Sequence, residues 1–177
     1  MIAAASNSGS RADDATLRAL AEAALRALQQ RHWRVTLAES CTGGWVAKAL
    51  TDVPGSSASF VGGFVSYDND FKRSQLGVDA ALLAAPGAVS REVVLRMARG
   101  ARQRTGASLA IAVSGIAGPD GGSADKPVGT VWFGSETPAG PAAEMQLFGG
   151  DRELIRRAAV AHALQWIARL AGGAPAS

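Results

Sequence analysis

One cysteine, Cys41, and two histidines, His32 and His162, are all that this chain offers to the usual metal and redox chemistries. A single thiol forms no intramolecular disulfide and builds no Cys-based zinc cage. HExxH, CxxC and clustered carboxylates are missing as well, so no catalytic metal and no cofactor is expected. The chain also lacks the Gly-Lys-Ser/Thr ending of a P-loop and any GxGxxG, which removes support for nucleoside triphosphate or dinucleotide binding. There is one tyrosine, Tyr67, and Trp33, Trp45, Trp132 and Trp166 lie far apart. With no Lys/Arg run beside them there is no track for nucleic acid, and the net charge of +3 is only a mild invitation to an anionic small molecule. No stretch of eighteen apolar residues occurs, and MIAAASNSGSRADD has no apolar signal-peptide core. No membrane association is expected, and the cytoplasm is the expected compartment.

What is present reads as one folded domain. Its 177 residues, 47% hydrophobic and 19% charged, suffice to bury a core and exclude a disordered chain. Small and polar residues suggest loose tails at 1–12 and 172–177, leaving 13–171 as the domain. Asp13 or Asp14 is placed to cap a first helix carrying Leu17, Leu20, Ala21, Ala24 and Leu28 on one stripe. Val35 to Ala38 reads as a buried strand and Trp45 to Leu50 as a helix. Phe60 to Tyr67 reads as a second strand, followed by a short helix through Lys72 and Leu76 capped by Asp68 or Asn69. Ser90 caps a helix with Val93, Val94, Met97, Ala98 and Ala101 on its apolar side. Leu109 to Val113 is apolar enough for a strand covered on both faces. Thr130 to Phe133 and Glu144 to Phe148 are further strands, and a last helix begins near Asp151. This order predicts an α/β fold, a three-layer α/β/α single domain with a mixed, mostly parallel central sheet.

Three segments carry more Gly, Ser and Thr than packing needs, and each adjoins a predicted strand. Glu39-Ser40-Cys41-Thr42-Gly43-Gly44 forms a strand-to-helix turn whose free N–H groups can meet an anion, with no Cβ at Gly43 or Gly44 to hold it off. A plain tight turn capped by Thr42 explains the same residues. Pro54-Gly55-Ser56-Ser57 leads through a strand to Tyr67 and Lys72. Serine is a weak nucleophile without a base, and neither histidine lies in a site-like segment, so a lysine with a depressed pKa is the available base. A surface serine, a strand-end tyrosine and a solvated lysine form the bland alternative. Ser114-Gly115-Ile116-Ala117-Gly118-Pro119-Asp120-Gly121-Gly122 opens a sixteen-residue connection, a length that is uncommon without a function. Cys41 is a rival nucleophile at a helix start, although a lone cysteine is more often a small buried hydrophobe. Arg152, Arg156 and Arg157 head the last helix, where an arginine can clamp a phosphate or simply face solvent.

Together these segments resemble the C-terminal domain of the CinA family in its stand-alone amidohydrolase form. The resemblance is carried by AESCTGGWVAKALTDVPGSSASFVGGFVSYDNDFKRSQLGV, GAVS, AVSGIAGPDGGSADKPVGTVWFG and GDRELIRRAA, and runs from about Val35 to Leu170. It implies hydrolysis of the carboxamide of nicotinamide mononucleotide to nicotinate mononucleotide and ammonia by a serine nucleophile with tyrosine and lysine partners. By that resemblance Ser57 is the nucleophile, with Ser56 as its neighbouring alternative, and Tyr67 and Lys72 handle the proton. Ser40, Thr42, Gly43, Gly44, Ser114, Gly115 and Arg152 are the implied substrate-binding positions. Ser114 stands where many relatives carry threonine, which keeps the hydroxyl. The larger N-terminal domain of full-length relatives is not in the chain, so its metal-dependent hydrolase activity is not expected. The only partner expected is the small-molecule substrate, with homo-oligomerisation left open. The competing reading is a non-catalytic pyridine-nucleotide- or protein-binding module linked to competence or DNA damage.

Overall fold

In a computed structural model, which describes residues 12–173, the chain is built around two adjacent buried strands. Most of both expected tails lies outside the described residues. β1 (Val35–Glu39) is buried along its whole length, and β3 (Leu109–Gly115) runs parallel beside it, buried except at its last residue. On β3 the side chains alternate by size: Leu109, Ile111 and Val113 face one apolar core, and Ala110 and Ala112 face the other. A one-residue slip would exchange these sets, which fixes the register. Truncating Ile111 to alanine would cost about 2–5 kcal/mol.

Three further strands complete the sheet. β2 (Phe60–Val65) lies parallel on the outer side of β1, while β4 (Thr130–Thr137) and β5 (Gly140–Leu147) follow β3 as an antiparallel pair. The order is β2-β1-β3-β4-β5, so β2 and β5 are the edges. α1 (Asp14–Gln30), α2 (Trp45–Thr51) and α6 (Arg152–Ala171) cover one face. α3 (Asn69–Leu76), α4 (Ala80–Ala84) and α5 (Arg91–Thr105) lie toward the other. This is the predicted three-layer α/β/α domain, with its parallel strands on one side of the sheet and its antiparallel pair on the other.

Local signals account for most boundaries. Asp13, Asp68, Ser90 and Asp151 cap their helices through side-chain acceptors, as four polar residues before apolar periodic runs should. Two features differ from expectation. α4 has five residues and no side-chain cap, too short for a periodicity to emerge. β4 and β5 run past the expected Thr130–Phe133 and Glu144–Phe148 to a two-residue turn at Pro138-Ala139. Pro141 fits because β5 is an edge, where a missing N–H costs no central ladder bond.

The three parallel strands end on the same side of the sheet. Segments 40–44, 66–68 and 116–129 therefore gather at their carboxyl ends, where α/β sheets bind ligands. The 3-10 turn Ser56–Ala58 lies at the opposite end, just before β2 begins.

Candidate active site

A cavity of about 200 Å³ opens at the carboxyl ends of β1, β2 and β3 and draws its polar lining from Ser40, Cys41, Tyr67, Asn69, Lys72, Ser114 and Arg152. Gly115 also lines it, and a Cβ there would strike Val131, so the glycine serves the approach of β4. Five sequence-predicted site residues thus meet with Gly115: Ser40, Tyr67, Lys72, Ser114 and Arg152.

Lys72 is buried, yet it sits in the first turn of a helix whose dipole disfavours a cation. Its Nζ donates to the main-chain carbonyl of Tyr67 at 2.9 Å. Burial pushes its pKa down, against the opposing influence of the Asp68 carboxylate and, more weakly, Cys41. A buried amine with a lowered pKa is a proton acceptor in waiting. Tyr67 stands exposed at the rim, its hydroxyl accepting from Nη2 of Arg152 at 3.2 Å. Nη1 of Arg152 donates to the carbonyl of Gly118 at 2.7 Å, so one guanidinium ties α6 to the glycine-rich loop and to the tyrosine. Ser114 Oγ donates to the carbonyl of Ala88 at 2.8 Å.

The ESCTGG turn works differently from expectation. Glu39 is buried, and its carboxylate accepts from the N–H groups of Gly44 (3.0 Å), Val46 (3.1 Å) and Ala47 (2.8 Å). The start of α2 is therefore already occupied by an internal anion and is not open for a ligand. Gly43 and Gly44 instead supply the left-handed backbone, φ 63° and 91°, that lets β1 turn into α2. Neither lines the cavity, nor does Thr42, whose buried hydroxyl has no hydrogen-bond partner among the described residues. Arg156 clasps the same turn, donating to the carbonyls of Cys41 and Thr42 at 3.0 Å each, and so is not a free phosphate clamp. The start of α6 is likewise closed at one position, since Asp151 accepts from the N–H of Leu154 at 2.9 Å and sets a negative charge there. Cys41 lines the cavity, but burial first, and the Glu39 charge next, push its thiol up to about 12. It is a protonated, poor nucleophile.

Ser57 is not among the gathered residues. It lies exposed in the turn before β2, whereas Tyr67 lies after that strand, roughly 25 Å away at about 3.3 Å per residue. Ser56 is at the same distant end. Asn69, Ala88, Val89 and Ala117 line the cavity without having been expected there. The GAVS motif was visible, but its contact with Ser114 depends on how 86–90 folds across the end of β3. Glu39 had a signal of its own, a carboxylate closing an otherwise buried strand. A second recess, about 280 Å³ between α1 and α2, is lined by Asp14, Lys48 and Asp52, whose charges are spent on the Lys48–Asp52 and Arg157–Asp14 pairs. Among the described residues no group of three or more His, Cys, Asp or Glu side chains is gathered to hold a metal.

The CinA C-terminal domain family matches residues 17–171. The nicotinamide-nucleotide amidohydrolase PncC of Escherichia coli (strain K12) is 52% identical over 153 residues, which cover 86% of this chain and 93% of that protein. The PncC of Pseudomonas putida is 52% identical over 143 residues, covering 81% and 89%. Among solved structures, the competence/damage inducible protein CihA from Agrobacterium tumefaciens has a TM-score of 0.82 at 44% identity, covering 87% of this chain and 93% of that one. A family match over nearly all the folded residues, with relatives that agree in sequence and in structure, places the chain in the CinA C-terminal domain family.

Proposed function

We propose that the chain hydrolyses the carboxamide of nicotinamide mononucleotide to nicotinate mononucleotide and ammonia, with Ser57 as nucleophile and Lys72 and Tyr67 as its proton-handling partners. The observation that carries this reading is Lys72, a buried amine with a lowered pKa that faces a cavity lined by hydroxyls and an arginine. A binding module has no need of a lysine desolvated at such cost. The names of the PncC relatives support the substrate class.

The chemistry runs in two balanced halves. With Ser57 delivered by a second copy of the chain, since roughly 25 Å of strand separates it from Tyr67 within one, neutral Lys72 takes its proton, directly or through the Tyr67 hydroxyl, as Oγ bonds to the amide carbon. Collapse of the oxyanion breaks the C–N bond, and the nitrogen leaves as ammonia after receiving that proton. Water then adds to the acyl ester, gives its proton to Lys72, and collapse restores the Ser57 hydroxyl and frees nicotinate mononucleotide. The Arg152 guanidinium, which donates to the Gly118 carbonyl and the Tyr67 hydroxyl, keeps further N–H groups at the rim for a phosphate. Cytoplasmic location, a single small-molecule substrate and independence of any cofactor belong to the same proposal.

Ammonia release from nicotinamide mononucleotide by the purified protein tests the reaction. Ser57→Ala should lower turnover by several orders of magnitude while substrate binding stays measurable. If Ser56→Ala is dead and Ser57→Ala is not, the nucleophile is the neighbour; if only Cys41→Ser is dead, the thiol is.

A further inference from the structure

We infer that the segment 86–90 is a strap that holds the carboxamide end of the ligand by the backbone N–H groups of Ala88 and Val89, and that Lys126 is the positioning residue that fixes it. The inference rests on nicotinamide mononucleotide as the ligand of the cavity and is independent of which group is the nucleophile. The strap links α4 to α5 and belongs to neither a helix nor the sheet. Ala88 and Val89 nonetheless line the cavity, beside the buried Ser114. A segment without a ladder keeps its place through side chains, and three of them converge on it. Lys126 Nζ donates to the carbonyl of Pro86 at 2.5 Å, Ser90 Oγ to that of Gly87 at 2.8 Å and Ser114 Oγ to that of Ala88 at 2.8 Å. Three successive carbonyls are thereby taken.

Two N–H groups of the strap are not. Gly87 donates to the carbonyl of Leu82, but the N–H groups of Ala88 and Val89 donate to no group among the described residues, although both residues are half-buried. Two successive unpaired donors on the wall of a cavity suit one acceptor oxygen. Lys72 and Ser114, both buried, mark the inner end of that cavity, and Arg152 stands at its rim. The strap is tied to Ser114, so the oxygen it meets is that of the carboxamide, and of the carboxylate once the amide is cleaved. Lys126 makes a tie that a plain connection does not need. Its loop is already closed at the base, where Ile116 donates to the carbonyl of Thr130 and Gly129 to that of Ile116. Farther out, the N–H of Ser123 donates to the carbonyl of Lys126 at 2.9 Å and the N–H of Lys126 to Ser123 Oγ at 3.1 Å, a turn that sets the lysine. Residues 120–125 stay exposed, while Lys126 is half-buried against Pro86. On its other limb the loop is held by Arg152 through the Gly118 carbonyl. One loop thus couples the arginine at the phosphate end to the strap at the carboxamide end.

The test is binding of the product, nicotinate mononucleotide, followed through the backbone amide signals of isotope-labelled protein. In the native protein the amide protons of Ala88 and Val89 should shift and become protected from exchange at saturation, a readout that depends on no variant. In Lys126→Met affinity for the product should fall about ten- to a hundredfold, the effect of losing a charge-assisted hydrogen bond, with Tm unchanged. Lys126→Arg, which still donates to a carbonyl, should recover most of that loss. In Lys126→Met the KM for nicotinamide mononucleotide and for nicotinamide riboside should rise by the same factor, because the strap holds the end that the two share, and kcat should change less. Product binding that leaves both amides unmoved overturns the inference, as does native affinity in Lys126→Met. A rise in KM for the mononucleotide alone shows the ammonium acting on the phosphate and overturns it too. A native protein that binds no nicotinate mononucleotide fails the underlying reading instead.

Discussion

Glu39 and Lys72 are each 1% exposed, and each stands where a strand gives way to a helix. Glu39 directs a carboxylate at the start of α2 and accepts three backbone N–H groups. Its charge, its hydrogen bonds and the helix dipole agree, so the residue locks the β1–α2 turn in place. Lys72 directs a cation into the first turn of α3, where the dipole opposes it, and has one hydrogen bond, to the Tyr67 carbonyl. Burial then favours the neutral amine. Equal burial thus yields a structural anchor in one turn and, in the proposed mechanism, a base in the other. The deciding quantity is the match between a side chain's charge and the backbone partial charges it faces.

The sharpest break of that comparison is Lys72→Met. Removing a general base should cost about a hundred- to ten-thousandfold in kcat. Thermal stability should hold, because a methionine of similar length fills an apolar site without the desolvation penalty. A large fall in Tm would show Lys72 to be an anchor like Glu39. Lys72→Arg should be equally slow, since a guanidinium is no base at these pH values. In the native protein log kcat/KM should rise with pH and level off below the ordinary lysine value of 10.5. Stability should rise over the same window. Between the lowered folded value and 10.5 the unfolded lysine holds a proton that the folded one has lost. Unfolding by urea across pH 7–10.5, in native and Lys72→Met protein, reads that slope; an unchanged slope in the variant would contradict it.

Arg152 and Arg156 repeat the contrast one turn apart on α6. Arg152→Ala should lower kcat/KM for the mononucleotide about ten- to a hundredfold and leave the slow reaction with nicotinamide riboside nearly unchanged. Arg156→Ala should slow both substrates alike, because it loosens the Cys41–Thr42 carbonyls and binds no ligand. Equal losses in the two variants would erase the distinction. Glu39→Gln should cost about 1.5–3 kcal/mol in urea unfolding, the worth of hydrogen bonds to a charged group, with a smaller effect on kcat than any change at Lys72. Smallest of all, Cys41→Ser should leave turnover within about threefold, as a thiol pushed up to about 12 holds no nucleophilic charge near neutral pH. EDTA should leave it unchanged.

Period and capping determined the elements from sequence alone. Apolar spacing located α1, α5 and α6, Asp13, Ser90 and Asp151 lay at their caps and Asp68 at that of α3, and unbroken apolar runs marked β1 and β3 as strands covered on both faces. Motif order was enough to select the family and to nominate Tyr67, Lys72, Ser114 and Arg152, since each lies within a few residues of a strand end or helix start. The turn at Gly43-Gly44 reads as open in the sequence because the Glu39 carboxylate can fold back on the N–H groups of Gly44, Val46 and Ala47 only when β1 and α2 pack together. Spacing along the chain likewise says nothing about direction across a sheet: Ser57 and Tyr67 are close in sequence, yet an extended strand sends them to opposite ends of the domain. Sequence determines which groups are present and which local conformations they prefer. Only the tertiary structure decides which of them are desolvated and which face one another, because burial and long-range contact are properties of the packed chain.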